Sequence, residues 1–230
     1  MLKGDGGVAD KSVDFICTDI PYELENHGGT RSALAKRSAK VRDSVEFMAH
    51  GIDYDKVFSE FIRICKIPNM IIFCSNLQVG KIISYFNERN LKTDVLVWEK
   101  SNPAPLCNGK YISDLEYIIY VHTKGSCFNN NAPFNYKKKC KIYPIVTDEN
   151  KVHPTQKPLK LIEEFITLHS LKDEIVMDAF MGSGTCGIVC KKLNRNFIGC
   201  EIDKKYFDIA KNRIENNGEY LLDKTDDIFN

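Results

Sequence analysis

Nowhere in the 230 residues does an apolar run approach the ~18 residues that a membrane span requires, and the N-terminus lacks the apolar core of a secretory signal. Absent too is any global excess of charge. With 32 basic and 31 acidic side chains the formal net charge is +1, so attraction to an acidic polymer must come from local patches. The 9 cysteines are odd in number and scattered, which excludes a disulfide framework and points to a reducing compartment. Cys17, Cys65, Cys74 and Cys200 sit inside apolar runs and are expected to be buried thiols. Cys186 and Cys190 have no second Cys or His pair nearby, so no metal site is expected. No internal repeat is present. What remains is an ordinary globular composition, 43% hydrophobic and 27% charged, sufficient for a single catalytic-sized domain over 1–230.

The apolar pattern alternates between strand and helix along the chain. Val13–Cys17 is near-continuously apolar, as a strand buried on both faces must be. Val57, Phe58, Phe61, Ile62 and Cys65 fall at helical spacing, then Met70–Cys74 is a second buried strand. A helix over Leu77–Asn90 and strands at Thr93–Trp98 and Leu115–Val121 follow. Further on come a helix through Leu161, Ile162, Phe165 and Ile166, a strand at 175–178, a helix from Gly184, a strand from Phe197 and a helix from Asp203. This alternation predicts a mostly parallel, doubly wound α/β sheet, with Thr93–Trp98 and Leu115–Val121 forming an antiparallel edge.

Two segments break the pattern. Residues 26–50 form a long loop bearing Arg31, Lys36, Arg37, Lys40 and Arg42 against Asp43; a loop of that length is commonly a lid or binding element. Residues 122–151 show no period and concentrate Lys124, Lys137, Lys138, Lys139, Lys141 and Lys151. Either charge run can equally be a solvated surface.

Two turns carry the chemistry. Asp178-Ala-Phe-Met-Gly-Ser-Gly-Thr185 leads from strand to helix, and Gly182, Gly184 and Gly187 satisfy G-x-G-x-x-G. Glu201 ends the next strand, where a carboxylate can take both hydroxyls of a ribose. By itself this fits a nicotinamide dinucleotide or another adenosine-bearing ligand. The second turn, Asp19-Ile20-Pro21-Tyr22, ends the first strand, at the sheet edge where open α/β folds place their ligands.

Taken together, Asp178–Thr185, His153-Pro-Thr-Gln-Lys-Pro158 and Thr18-Asp-Ile-Pro-Tyr22 resemble the amino-group DNA methyltransferases that use S-adenosylmethionine, in particular their permuted, or beta, subgroup. The resemblance spans residues 13–216 and implies a Rossmann-like class I methyltransferase fold with the catalytic turn first and the cofactor loop last. It implies S-adenosylmethionine as cofactor, S-adenosylhomocysteine as product and no metal. Phe180, Gly182 and Gly184 match the family's cofactor loop, with Asp178 and Thr185 at its ends; Glu201 would take the ribose hydroxyls, and Thr155 and Lys157 the cofactor's carboxylate.

The resemblance also makes Asp19, Ile20, Pro21 and Tyr22 the catalytic turn. The Asp19 carboxylate and the Ile20 carbonyl would accept from the exocyclic amine, and Tyr22 would stack on a flipped base. Ile20 departs from the family's first proline. An Asp at the first position leans to adenine N6; cytosine N4 is the alternative, and a catalytically silent subunit, a different methyl acceptor and a nicotinamide enzyme are further readings. The implied partner is double-stranded DNA, met by Arg31, Lys36, Arg37 and Lys40 of loop 26–50 and by Lys137, Lys138, Lys139 and Lys141 of an insertion, 106–150, that is the candidate target-recognition region. Asn129–Asn131 either reads bases or forms an asparagine-rich turn. A homodimer, a cognate restriction endonuclease and a cytoplasmic location, in a bacterium or a virus-infected cell, complete what the resemblance suggests.

Overall fold

The computed structural model describes residues 7–23, 52–105, 111–147 and 155–216. Loop 26–50 with its four basic candidates, and His153 and Pro154 of the hexapeptide, lie outside them.

Among the described residues seven strands form one mixed sheet. In chain order they are β1 (Phe15–Asp19), β2 (Asn69–Cys74), β3 (Lys92–Lys100), β4 (Leu115–His122), β5 (Cys140–Tyr143), β6 (Ile175–Asp178) and β7 (Asn196–Gly199). Their spatial order is β5-β3-β4-β2-β1-β6-β7. β1 pairs in parallel with both β2 and β6, and β6 with β7, while β4 runs against β2 and β3. The expected β3–β4 antiparallel pair is present, but it does not form the rim. β5 adds outside β3 and parallel to it, leaving β4 the reversed strand within the sheet.

Among the described residues five helices cover the faces: α1 (Tyr54–Ile64), α2 (Asn76–Asn87), α3 (Leu159–His169), α4 (Thr185–Lys192) and α5 (Lys204–Glu215). Strand side chains alternate, so β1 sends Phe15 and Cys17 to one face and Ile16 and Ile20 to the other. The first face packs with Phe165 and Ile166 of α3 and Val189 of α4; the second packs with Phe58 and Phe61 of α1 and Ile82 and Phe86 of α2. Helix starts are fixed locally. The Asp53 carboxylate accepts from the Lys56 amide and that of Asp203 from the Lys205 amide, each satisfying an otherwise orphaned N–H.

The segment 106–150 is not a free-standing insertion. It contains β4 and β5, and Lys141 of β5 shares the sheet face of Trp98, its register partner on β3. Asn129 hydrogen-bonds through its amide to the Leu168 carbonyl, and its side chain accepts from the Asn131 amide, so 129–131 is a turn docked on the end of α3.

β1 leads away toward β2 on one side and β6 leads toward β7 on the other, so the chain's direction of travel across the sheet reverses between β1 and β6. That switch point leaves a crevice outside the carboxyl ends of the two strands. Entry into α4 depends on Gly184, whose φ is +81°; a Cβ there would lie 2.9 Å from the Ala210 Cβ of α5. Gly184→Ala therefore imposes a left-handed alanine and an overlap together, with an expected loss of about 2–4 kcal/mol in chemical denaturation. Adding Ala210→Gly should recover part of that loss, because it removes the closest contact and leaves the backbone penalty and the contacts at 3.1 Å with the Cα of position 210 and 3.2 Å with Ile214 Cδ1.

Candidate active site

The switch point brings the two sequence turns together. Thr18 Oγ1 donates to Asp178 Oδ1 at 2.7 Å, joining β1 to β6 one residue before Asp19, and the Phe180 amide donates to the same oxygen at 3.1 Å. Burial pushes the Asp178 carboxyl up to about 7; these two hydrogen bonds oppose the rise, and the nearby charges of Asp19 and Glu201 add to it.

Beyond Asp178 the chain turns through Gly182, at φ +50°, and Gly184 before entering α4 at the buried Thr185. Glycine tolerates these left-handed conformations, and amides of the loop are satisfied within the protein: that of Met181 donates to the Cys200 carbonyl at 2.9 Å and that of Gly184 to the Met181 carbonyl at 2.8 Å. Another, the Gly182 amide, donates to Glu201 Oε2 at 3.0 Å, while the Asp203 amide donates to Oε1 at 2.8 Å. Glu201 is thus clamped at the sheet's carboxyl edge with acceptor capacity to spare, since a carboxylate offers about four lone-pair sites. A rigid acceptor beside a glycine turn suits a ribose diol. Phe180 is half-buried beside the loop, and Thr155 is exposed just ahead of buried Gln156, Lys157 and Pro158.

On the β1 side the structure assembles a cluster of buried charges. Lys157 Nζ lies 2.5 Å from Asp19 Oδ2 and 3.3 Å from Glu116 Oε2, with only 7% of its side chain exposed. Its ammonium points at the Asp19 carboxylate, on the β1 side of the crevice. Tyr22 Oη donates to Glu116 Oε2 at 2.8 Å, and Lys100 Nζ is 3.3 Å from Glu116 Oε1. Asp19 Oδ1 is buried and has no hydrogen-bond partner.

Burial raises the Asp19 carboxyl despite the opposing pull of Lys157. Glu116 is held below the usual carboxylate range because the ammoniums of Lys157 and Lys100 outweigh its burial. The two carboxylates likewise keep Lys157 charged against its own desolvation. Gln78 steadies the turn from α2: its Nε2 donates to the Pro21 carbonyl and its Oε1 accepts from the Ser75 amide, both at 3.0 Å. Glu116, Lys100 and Gln78 were not among the residues singled out from sequence. The one available signal was Glu116, a lone carboxylate at the start of an apolar strand.

Lys137, Lys138, Lys139 and Lys141 are not gathered at this crevice. Lys141, expected at DNA phosphates, has 2% of its side chain exposed and is paired at 2.8 Å with Glu164 of α3, which also accepts from Tyr143 Oη at 2.6 Å. Lys137 bonds to the Asn130 carbonyl, and Lys139 pairs with Asp94 near the start of β3. With exposed Lys138 they precede β5, at the end of the strand away from the carboxyl edge. Lys141→Ala is accordingly expected to destabilise the fold by roughly 3–5 kcal/mol by stranding Glu164, while leaving the salt dependence of DNA binding unchanged.

Asp178 generates a second prediction. Its folded pKa is raised, so its contribution is complete below about pH 4 and is lost as pH rises toward 7. In denaturation between pH 4.5 and 7.5, Asp178→Asn should gain on the wild type by at most ~1.4 kcal/mol per pH unit, with the gain levelling above 7.

The chain is similar to known proteins in sequence and in fold. A family model described as DNA methylase (N6_N4_Mtase) matches residues 13–212. The Type II methyltransferase M.HinfI of Haemophilus influenzae is 29% identical over 246 residues, covering 93% of this chain and 67% of that protein. The Type II methyltransferase M2.MboI of Moraxella bovis is 30% identical over 229 residues, covering 89% and 81%. The crystal structure of M1.HpyAVI in complex with SAM aligns with a TM-score of 0.66 at 31% identity, over 88% of this chain and 89% of that one. The PvuII cytosine-N4-specific DNA methyltransferase shares the fold, with a TM-score of 0.64 at 16% identity over 91% and 88%. With a family match running from the start of β1 almost to the end of α5, and both turns facing one crevice, the chain belongs to the DNA methylase family of N6/N4 methyltransferases.

Proposed function

We propose that this DNA methyltransferase transfers the methyl group of S-adenosylmethionine to N6 of an adenine flipped out of double-stranded DNA. The observation that carries the proposal is Asp19, with its buried, unpartnered Oδ1, at the end of β1, the strand that pairs in parallel with β6 ahead of the glycine turn. The preference for adenine over cytosine rests on the resemblance at Asp19-Ile-Pro-Tyr22.

Bound S-adenosylmethionine supplies a methyl on an electron-poor sulfonium, so the chain's own work is orientation. Glu201, the Gly182–Gly184 turn, Phe180, Thr185 and Thr155 would hold the cofactor, and Asp178 shapes the turn beneath it. An aromatic exocyclic amine is a poor nucleophile because its lone pair is delocalised. Asp19 Oδ1 and the Ile20 carbonyl, accepting from its two hydrogens, favour the pyramidal geometry in which that lone pair is available. Tyr22 offers a ring for the extruded base, with the Pro21 turn behind it.

Arg31, Lys36, Arg37 and Lys40 are the phosphate contacts in this reading; the exposed part of 106–150 around Lys137, Lys138 and Lys139 contributes to target recognition. A homodimer, a cognate restriction endonuclease and a cytoplasmic location are inferred from the resemblance alone. No helix among the described residues is long and apolar enough to cross a membrane.

The test is transfer of labelled methyl to unmethylated DNA, with the product base identified by mass spectrometry. N6-methyladenine is expected, with the rate falling at least ~10²-fold in Asp19→Ala. N4-methylcytosine would overturn the assigned base, and unlabelled DNA beside intact cofactor binding would overturn the assigned acceptor.

A further inference from the structure

We infer that Glu116, brought to the site by the reversed strand β4, is a positioning residue that holds Tyr22 and Lys157 so that Asp19 presents Oδ1 to the target amine. This rests on the methyl-transfer reading above and adds to it a residue from outside both turns.

The geometry follows from strand direction. β1, β2 and β3 end at the crevice, whereas β4 begins there, so its second residue lies level with the Asp19 turn. Glu116 then makes three contacts: Oε2 accepts from the Tyr22 hydroxyl and faces Lys157, and Oε1 faces Lys100. Lys157 is consequently shared between two carboxylates, on Oδ2 of Asp19 and Oε2 of Glu116.

Removal of Glu116's charge would leave Asp19 as the only anion within ion-pairing distance of Lys157 among the described residues. An ammonium is a far stronger donor than a base's amine and would compete for the whole Asp19 carboxylate. With Glu116 in place, two ammoniums balance two carboxylates and the buried Asp19 Oδ1 is left without a hydrogen-bond partner. The same carboxylate tethers the Tyr22 hydroxyl and so sets the direction of the ring on which the base would rest.

The groups electrostatically coupled to Asp19 are Lys157 ahead of α3, Glu116 on β4, Tyr22 in its own turn, Asp178 on β6, and the thiols of Cys17 on β1 and Cys74 on β2. Among them Glu116 is an anion whose charge raises the Asp19 carboxyl, so its neutralisation must lower it.

Glu116→Gln keeps size and an acceptor for Tyr22 while deleting the charge. In a ¹³C carboxyl titration, with Asp19 assigned by its loss in Asp19→Asn, the Asp19 midpoint is expected to drop by about one pH unit. The acid limb of kcat/KM should move to lower pH with it. At the plateau kcat should fall about tenfold, with KM for S-adenosylmethionine within about twofold of wild type, as expected when alignment rather than cofactor binding is lost. Glu116→Asp, which keeps the charge, should return the midpoint close to the wild-type value.

An unmoved Asp19 midpoint in folded Glu116→Gln overturns the inference, as does a moved midpoint with wild-type kcat. A wild-type enzyme that leaves DNA unlabelled overturns the function proposed above, while the midpoint still decides the role of Glu116. If Glu116→Gln fails to fold, Tyr22→Phe removes the hydroxyl that Glu116 holds, together with its interaction with Asp19. It should lower kcat about fivefold at unchanged S-adenosylmethionine affinity, and wild-type kcat in that variant overturns the inference.

Discussion

The hydrogen bond from Thr18 to Asp178 is the constraint on which the site depends. The two residues stand 160 positions apart in sequence, yet they lock neighbouring strands at the point where the sheet's winding reverses. Thr18 is followed at once by Asp19, and Asp178 opens the glycine turn, so a displacement of either strand would move the Asp19 carboxylate, proposed to face the amine, relative to the glycine turn proposed to hold the cofactor. Methyl transfer requires donor carbon and acceptor nitrogen in line and nearly touching, and about an ångström of misplacement is costly. A buried hydroxyl–carboxyl bond supplies that register more sharply than apolar packing, which tolerates small slips. Its cost is the raised Asp178 pKa: the carboxyl is held where water cannot solvate its charge.

A similar economy governs the charges around Asp19. An isolated buried carboxylate would take up a proton and cease to be a good acceptor. Lys157 counters this, but a lone ammonium beside Asp19 would also block it. The reversal of β4 resolves the conflict, because a parallel strand at that place would bring its carboxyl end to the crevice instead of its second residue. Strand direction, a property of topology, thereby sets the electrostatics of a side chain two strands away.

What was legible in the sequence follows the same division. Strands β1, β2 and β6 are short apolar runs bounded by turns, and the helices carry clear 3.6-residue stripes, so the α/β alternation and both turns can be read directly. β5 could not be read that way. Its four residues, Cys-Lys-Ile-Tyr, carry a lysine where an inward position calls for an apolar side chain, and only the partner Glu164 on α3 makes that lysine an interior residue. Lys141 consequently looks like part of a basic surface run until the fold is known. Lys157 is comparable: the motif around it places it near the cofactor, but its partners come from β1 and β4, and pairing across a sheet leaves no trace in local spacing. The rim position of β5 also escapes a pattern that identifies strands without ordering them.

Ile20 shows how a departure from a family pattern can be absorbed. Its amide donates to the Phe73 carbonyl at 3.3 Å, extending the β1–β2 ladder by one bond that a proline could not make. Its side chain is fully buried in the same apolar cluster as Met177 and Phe58, and burying an isoleucine contributes roughly 1.5–3 kcal/mol. Proline stiffens a turn by restricting the unfolded chain; here a ladder bond and a core contact restrain the folded one. On the other side Gln78 holds the Pro21 carbonyl, so the peptide groups around the Ile20 carbonyl are fixed both before and after it. The rigidity that positions an acceptor oxygen is therefore retained by a different route, and the Ile20 exchange by itself gives no ground for a silent catalytic turn.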